Sequence, residues 1–506
     1  MNANTAPSDS TASLRRFAYA LLIVAGIGGM LGRIMAVDSV DEAAKQEDKI
    51  RRALDSKRIA LVEQGVDGQQ LQESLATEET RLRERIQLRR PMLSANDRSR
   101  WCTVRALVED DMRIPGAPYA IDKVVADPRW DTIDKVKHDG HFYSSKPPWF
   151  ATVMAGQYWV IHRLCGVSLA DEPYAIVRGM LISINVIPLA IYFVLLSRLV
   201  ERYGRTDWGR LFVMTAAVFG TFLTTFAVVI NNHLPGAVCA LVALYAGLRI
   251  WCDGQRQLRY FVLAGLFSAL TAACELPALA LPALLGAAFL WKAPRQTLAG
   301  ILPPVVLVAA GVFGSNWIAF HDLKPPYMHR SPGDNWYDYT FERGGKTYAS
   351  YWKSPMGIDR GEPSPVVYAL HATVGHHGIF SLTPVWALSV LGTLLWLLAR
   401  REDPRLRQVA LAVLVLSAVC LVFYLTRPLG DRNYGGMTSG LRWMFWFAPL
   451  WLLVMLPGAD LIAERKWTRL IALVLLSLSV LSATYPTWNP WTNPWLYDFM
   501  NYVDWL

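Results

Sequence analysis

Long uninterrupted runs of apolar residues constrain this 506-residue chain more than any other feature of its sequence. Each run has roughly twenty residues, the length that an α-helix needs to cross about 30 Å of hydrocarbon. A soluble protein would not collect its apolar residues in this way. The sequence therefore predicts an all-α polytopic membrane protein with about eleven transmembrane helices, at 17–37, 174–197, 209–230, 234–251, 260–275, 276–291, 297–319, 379–399, 407–426, 441–458 and 467–485.

The aromatic and basic residues fit the same architecture. The 20 Trp and 20 Tyr residues cluster where the apolar runs end, as in the aromatic belt of a membrane interface. A net charge of +9 could indicate a nucleic-acid partner. The basic residues, however, lie in short connections between apolar runs, where they set topology and meet anionic lipid. We therefore expect a membrane context and no nucleic acid.

The placement of basic residues also predicts the orientation. Short connections near Asn231 and Glu275 contain none, whereas the connections on the other side are rich in arginine. This asymmetry puts the N-terminus in the cytoplasm, and it puts the C-terminus and the active face outside the cytoplasmic (inner) membrane. The basic residues on the predicted cytoplasmic side are Arg15, Arg16, Arg198, Arg202, Arg205, Arg210, Arg256, Arg259, Lys292, Arg295, Arg400, Arg401, Arg405, Arg407, Arg465, Lys466 and Arg469.

Eight segments follow from these boundaries. The first apolar run lacks a convincing small-residue cleavage site, so it is read as a retained helix and not as a signal peptide. Leucine and isoleucine recur at helical spacing on either side of Gly65 and Gly68, which predicts an inserted antiparallel hairpin, a short coiled coil. The segments are a cytoplasmic tail (1–16), the first transmembrane helix (17–37), the outer hairpin (38–90), the first outer loop (91–173), transmembrane helices 2–7 (174–319), the second outer loop (320–378), transmembrane helices 8–11 (379–485) and an outer tail (486–506).

The first outer loop carries the residues most suited to chemistry. Acidic side chains accumulate after a predicted helix at 100–108, first Glu109 and Asp110 and later Asp134, and Lys146 then precedes Pro147-Pro148 and an amphipathic interfacial helix at 149–166. Carboxylates at a membrane surface can act as a general base or bind a divalent cation, and a lysine can neutralise a phosphate. An acidic run in an outer loop is, on charge alone, more often only solvated.

Taken together, these features resemble the GT-C superfamily of membrane glycosyltransferases, in particular the protein O-mannosyltransferase and lipid A aminoarabinose transferase branch. The carrying residues are Arg100-Trp101 through Glu109, then HFYSSKPP at 141–148, then Val177-Arg178. The motifs cover about 98–200, and the topology covers most of the chain without the hairpin. The resemblance implies transfer of a sugar from a polyprenyl-phosphate donor to a lipid, glycan or protein acceptor on the outer face of the membrane.

The resemblance also assigns roles, with one departure. Enzymes of this type have an acid two residues after the arginine–aromatic pair, where this chain has Thr103. The catalytic base is then Glu109, Asp110 or Asp134, or else ordinary catalysis has been lost. Lys146 is the expected donor-phosphate ligand, because the adjoining prolines and Tyr143 also match.

Further candidates lie at the ends of other apolar runs. Arg442 enters a transmembrane run, where an arginine needs a partner such as a lipid phosphate unless it snorkels to the headgroups. Arg432 is a second candidate phosphate ligand. Asn232, His233, Glu275 and Tyr434 are possible substrate-binding residues, although Asn231–His233 could equally be a turn and helix cap. His371, His376 and His377 could hold a metal, but their spacing is not specific for one.

Two other classes of function remain open. A transporter or flippase for a lipid-linked or anionic substrate would show half-chain repeats and ionisable groups near mid-span, and neither is evident. A non-catalytic scaffold would use the hairpin to bind a partner. The sequence does not identify the sugar, the acceptor or a metal requirement.

Overall fold

The computed structural model describes residues 9–36, 40–86, 90–343, 345–399, 403–486 and 488–505. The predicted boundary at 37–38 and the predicted cytoplasmic residues Arg400 and Arg401 lie outside these ranges. Within them the protein is an all-α polytopic membrane protein. Seven helices are long and apolar enough to cross a membrane, and three shorter apolar helices accompany them. The predicted number of about eleven spans stays a prediction.

Within the described ranges there are 21 α-helices and six short strands, together with short 3₁₀ and π-helical segments. The helices are α1 (Asp9–Ala36), α2 (Val40–Glu63), α3 (Gly68–Ile86), α4 (Ala95–Val108), α5 (Asp122–Ala126), α6 (Pro148–Cys165), α7 (Pro173–Leu181), α8 (Ile187–Tyr203), α9 (Asp207–Phe219), α10 (His233–Trp251), α11 (Leu258–Cys274), α12 (Ala280–Lys292), α13 (Pro294–Gly300), α14 (Leu302–Phe320), α15 (Pro365–Thr373), α16 (Ile379–Leu382), α17 (Trp386–Leu398), α18 (Pro404–Leu425), α19 (Ala448–Ile462), α20 (Lys466–Thr484) and α21 (Trp495–Tyr502). The strands are β1 (Lys135–His138), β2 (His141–Ser144), β3 (Arg330–Ser331), β4 (Asp334–Asn335), β5 (Thr340–Arg343) and β6 (Lys346–Ala349), paired as three antiparallel hairpins.

Two helices, α2 and α3, lie where the sequence predicts the hairpin, and its assignment as an inserted coiled coil stays a prediction. Gly65 and Gly68 adopt φ values of +80° and +51°, a backbone conformation that glycine reaches without strain, and they turn the chain between the two helices. Ile50 and Leu82 are buried between the helices, and Arg83 bridges to Glu47 at 3.0 Å.

One predicted span is replaced in part by irregular backbone. The run at 209–230 forms a helix only as far as Phe219, and the chain from 220 to 231 is buried with a single 3₁₀ turn at Thr225–Val228. Non-helical backbone at this depth must find internal hydrogen-bond partners. The Asn185 amide donates to the carbonyls of Ala227 and Val229 at 2.9 and 3.0 Å and supplies part of this requirement.

The apolar runs on either side of Glu275 form two helices and not one. Glu275 is extended (φ −134°, ψ 105°), and a 3₁₀ turn at Leu276–Leu279 leads into α12. Phe261 near the start of α11 packs against Phe289 near the end of α12, with ring centroids 6.0 Å apart, so the two helices are antiparallel. Glu275 thus lies at the tip of a helical hairpin.

The two loops that the sequence predicts to be outside, 91–173 and 320–378, pack on each other. Ser94 caps α4, which begins earlier than predicted, by accepting a hydrogen bond from the Asp97 amide at 3.0 Å. The β1–β2 hairpin of the first loop receives the second loop through the bond from the Lys137 amide to the Trp336 carbonyl, 3.0 Å long. The chain then enters α6 directly after Pro147.

At the other end of the helices, away from the two loops, charged groups join several helices to one another. Arg15 forms ion pairs with Glu201 at 2.8 Å and with Asp207 at 2.7 Å. Asp460 accepts from the amides of Arg205 and Thr206, both at 2.8 Å. The predicted cytoplasmic connections around 198–210 therefore meet the far end of α19.

Candidate functional site

Polar side chains from separate elements converge where several helices begin or end. Most of them lie at or near the end of a helix, where polar heads can meet without crossing apolar packing, and Asp134 directly precedes strand β1. We call this group the polar cluster, and define it as Asp97, Arg100, Asp134, Lys146, Asn232, His233, Glu275 and Arg442. All but Lys146 and Asn232 are less than 9% exposed.

Lys146 and Asp134 form an ion pair in the polar cluster. The Lys146 ammonium donates to Asp134 Oδ1 at 2.9 Å, and the Ser145 hydroxyl donates to the same oxygen at 3.1 Å. Burial lowers the pKa of Lys146 despite this partner. Burial alone would raise the pKa of Asp134, but the Lys146 ammonium, the hydrogen bonds and the Arg100 guanidinium bring it below its usual value. Asp134 is therefore a stable anion that orients Lys146.

Asp97 and Arg100 lie one turn apart on α4. Asp97 accepts from Trp101 Nε1 at 2.9 Å, and it is only 3% exposed. Burial raises the pKa of its carboxyl to about 7, although Arg100 and the Trp101 bond act in the opposite direction. Asp97 is thus the acid of this group whose protonation changes near neutral pH.

A chain of hydrogen bonds joins Arg100 to Arg442 through the start of α10 and the end of α11. Arg100 Nη2 donates to Asn232 Oδ1 at 2.7 Å, and Asn232 Nδ2 donates to Glu275 Oε1 at 3.2 Å. His233 Nδ1 bonds the same Glu275 oxygen. Arg442 Nε donates to His233 Nε2 at 2.9 Å.

Arg442 keeps an unused donor. Its Nη1 is buried and has no hydrogen-bond partner among the described residues. The guanidinium lies 4.5 Å from the ring centroid of Trp491, and a Cβ added to Gly435 would stand 3.6 Å from Nη1. Because Gly435 lacks a side chain, a small space remains beside this donor. An anionic oxygen is the acceptor to which such a donor would bond most strongly.

The structure separates Glu109 and Asp110 from the polar cluster. Glu109 is 4% exposed, and its carboxylate is occupied by Arg105 at 2.7 Å and by the Tyr158 hydroxyl at 2.8 Å. Asp110 is largely exposed and pairs with Arg113 at 3.3 Å. Of the three predicted bases, only Asp134 is brought into the polar cluster.

Arg432 and Tyr434 make their described contacts with residues outside the polar cluster. Arg432 Nη1 donates to the Pro363 carbonyl at 2.7 Å, which fixes it on the second outer loop. Tyr434 stacks on His377 with ring centroids 4.9 Å apart and packs against His376 at 5.0 Å. Within the described ranges, no hydrogen bond or ion pair joins either residue to the polar cluster.

The histidines that could have suggested a metal are stacked on one another. His371 and His376 have ring centroids 3.9 Å apart, and His376 Nδ1 lies 2.5 Å from His377 Nδ1. Burial lowers the pKa of His376 to about 3, so its ring is neutral at physiological pH. In the part of the chain that the structure describes, no group of three or more His, Cys, Asp or Glu side chains could hold a metal ion.

Two acids of the site escaped the sequence analysis. Asp97 precedes Arg100-Trp101 by one helical turn, and this spacing on α4 was the signal that could have identified it. Asp359 comes from the second outer loop: Tyr351 donates to it at 2.9 Å, and it interacts electrostatically with Asp134, Lys146 and Arg442. No sequence signal links Asp359 to residues more than two hundred positions away. Thr103, where an acid was expected, is buried on α4.

Comparison with known proteins gives one structural neighbour of note. An oligosaccharyltransferase from Archaeoglobus fulgidus, crystallised in complex with zinc and sulfate, is similar to this chain with a TM-score of 0.39 and 15% sequence identity. The similarity covers 81% of this chain and 55% of the neighbour, so the chain spans about half of that protein's length. No protein-family model and no curated protein matches the sequence. Function is therefore inferred from the polar cluster.

Proposed function

We propose that the protein is a membrane glycosyltransferase that moves a sugar from a polyprenyl-phosphate donor to an acceptor on the outer face of the cytoplasmic membrane. The observation that carries the proposal is the buried Arg442, whose unpaired Nη1 lies in one polar cluster with Lys146, Arg100 and the titratable Asp97. Such a group combines anion binding with a base. The sequence resemblance to GT-C enzymes, through Arg100-Trp101 and Lys146-Pro147-Pro148, points the same way.

An apolar crevice beside Arg442 supports a lipid-linked donor. The 3₁₀ segment Arg442–Phe447 supplies both the cation and, through Met444 and Phe445, part of the crevice wall. Phe222 and Trp386 line its other sides. A phosphate held at Arg442 would therefore have apolar surface next to it for the first isoprene units.

The proposed reaction is a single displacement. The acceptor hydroxyl or amine attacks the anomeric carbon, the bond from that carbon to the phosphate oxygen breaks, and polyprenyl phosphate leaves as the anion. Asp97 takes the acceptor proton, because a pKa of about 7 lets its carboxylate form at neutral pH and still accept a proton. Lys146, Arg100 and Arg442 stabilise the leaving phosphate. Asp134 is the second candidate base, weaker because Lys146 already holds its charge.

The test is sugar transfer from a purified lipid-linked donor in nanodiscs. Asp97→Asn should lower kcat by about 10²–10⁴-fold with little change in donor KM, because a base acts only as the proton moves. Lys146→Ala and Arg442→Ala should raise donor KM, because the cations also meet the phosphate in the ground state. Glu109→Gln should keep its turnover per folded molecule, since Arg105 and Tyr158 occupy that carboxylate.

Full turnover in both Asp97→Asn and Asp134→Asn would remove the polar cluster as the source of the base. Movement of a labelled lipid between leaflets without any sugar transfer would favour the flippase alternative instead. In that case Arg442→Ala should slow lipid movement.

A further inference from the structure

Two buried arginines of the polar cluster, Arg100 and Arg442, are each connected to the Glu275 carboxylate through one intermediate side chain. The Glu275 carboxylate accepts hydrogen bonds from Asn232 Nδ2, at 3.2 Å, and from His233 Nδ1. Asn232 in turn accepts a hydrogen bond from Arg100 Nη2 at 2.7 Å, and His233 accepts one from Arg442 Nε at 2.9 Å. Glu275, His233, Arg100 and Arg442 are each at most 7% exposed. The order Arg100–Asn232–Glu275–His233–Arg442 therefore runs through the protein interior.

The arginine donors fix the tautomer of His233 and the orientation of the Asn232 amide, the two side chains that connect the arginines to Glu275. We call these two residues the connectors. An arginine N–H can only donate, so His233 Nε2 must accept from Arg442, and the ring proton sits on Nδ1 facing Glu275. In the same way, Asn232 must present its oxygen to Arg100 and its amide protons to Glu275 and to the Cys274 carbonyl, 2.6 Å away. Both connectors are neutral and oriented.

This arrangement leaves one donor of Arg442 available, whereas Arg100 Nη1 and Nη2 are bonded to Asn96 and Asn232. A carboxylate placed directly on Arg442 would take two parallel N–H bonds and consume its Nη donors. With His233 between them, Glu275 orients Arg442 through Nε alone, and Nη1 stays unpaired beside Gly435. Arg442 is 7% exposed, and His233 is the side chain that accepts the hydrogen bond from its Nε.

We propose that Asn232, His233 and Glu275 are positioning residues that aim Arg100 and Arg442 at the donor phosphate and do not bind substrate themselves. The proposal rests on the proposed function, since it takes Arg442 as the phosphate ligand. It replaces the sequence-based expectation that Asn232, His233 and Glu275 contact the substrate. It also predicts that their contribution to donor binding depends on the arginines.

A double-mutant cycle tests this dependence, with sugar-free polyprenyl monophosphate as the probe and calorimetry in nanodiscs of uncharged lipid as the measurement. His233→Leu should raise the Kd by roughly ten- to a hundredfold, the range found for residues that orient metal ligands. His233→Gln, whose amide can accept from Arg442 and donate to Glu275, should restore most of the affinity. In an Arg442→Ala background, His233→Leu should have no further effect on the Kd.

Thr271→Val is the matched control. Thr271 is buried on α11 one turn before Glu275, and its hydroxyl donates only to the Phe267 carbonyl at 2.7 Å among the contacts described. This variant should keep the wild-type Kd. Thermal unfolding of every variant separates loss of folding from loss of binding.

The outcomes separate the two proposals. If Arg442→Ala raises the Kd and His233→Leu does not, or if His233→Leu has the same effect with and without Arg442, the positioning role is wrong and the phosphate site stands. If Arg442→Ala itself binds the probe with the wild-type Kd, the phosphate site of the proposed function is wrong, and the positioning role is lost with it.

Discussion

At the scale of single residues, the carboxyl side chains of the first outer loop take different roles according to their surroundings. Glu109 is neutralised by Arg105, Asp110 is solvated, Asp134 is held ionised by Lys146, and Asp97 is desolvated. Burial raises the pKa of the Asp97 carboxyl to about 7. Chemistry in this loop therefore depends on burial, which acidic composition does not reveal.

The raised pKa of Asp97 predicts the pH dependence of turnover. Below pH 7 the proposed base is protonated, so kcat should rise about tenfold per pH unit toward pH 7 and level off above it. Asp97→Glu should keep a rising limb, whereas the residual rate of Asp97→Asn should lose it. The measurement is single-turnover transfer between pH 5 and 9, values chosen to bracket about two units around this pKa.

The stability of the folded protein should change with pH in the direction opposite to kcat. The pKa of Asp97 is higher in the folded than in the unfolded chain, so its contribution to stability is present below the ordinary carboxyl pKa and is lost as pH rises toward 7. Asp97→Asn should therefore flatten the fall of Tm between roughly pH 4 and 7. A Tm that falls equally in both proteins would contradict the raised pKa.

Individual site residues were predictable where the local pattern alone was sufficient. Lys146 stands before two prolines that start α6, and Arg442 interrupts an apolar run, so both were found from sequence. Asp97 was missed because its importance comes from burial against residues near Ile230, and Asp359 because loop packing brings it in. Neither contact leaves a periodic signal in the chain.

At the scale of elements, hydropathy located the helices better than it located their ends. An apolar run satisfies a hydropathy criterion whether its backbone is helical or not. The run at 209–230 shows this, because its second half is not α-helical and depends in part on Asn185 for hydrogen bonds. Irregular backbone is tolerated there because it is enclosed by protein, next to the residues that begin α10.

The hairpin of α2 and α3 gives an element-scale prediction. Its buried contacts include Ile50 and Leu82 within the hairpin, and most of its other side chains are exposed. Replacing residues 40–86 by a Gly-Ser linker should therefore leave kcat and donor KM within about threefold of wild type, a change of less than 1 kcal/mol. The measurement is transfer by purified protein, with Tm as the check on folding. Loss of transfer in a variant that folds normally would assign the hairpin to the site.

At the scale of the whole molecule, charge divides the helices into two ends. One end collects Arg15, Glu201, Asp207 and the Asp460 carboxylate with the predicted cytoplasmic connections. The other end carries the polar cluster and both outer loops. Arginine counting predicts a division of this kind from the sequence, since it needs only the order of the connections. The convergence of the loops on one site requires tertiary packing and could not be counted.

The orientation of these two ends is the last prediction. In a variant whose native cysteines are replaced, Asp110→Cys should react with a membrane-impermeant maleimide added to intact cells, because the side chain is 74% exposed at the end with the polar cluster. Arg256→Cys, in the exposed connection after α10, should react only once the membrane is permeabilised. Both variants should transfer sugar as wild type does, since neither position touches the polar cluster. Labelling of Arg256→Cys in intact cells, with Asp110→Cys protected, would place the site in the cytoplasm. A nucleotide sugar could then supply the donor, and the inference of a lipid-linked donor would lose its physical basis.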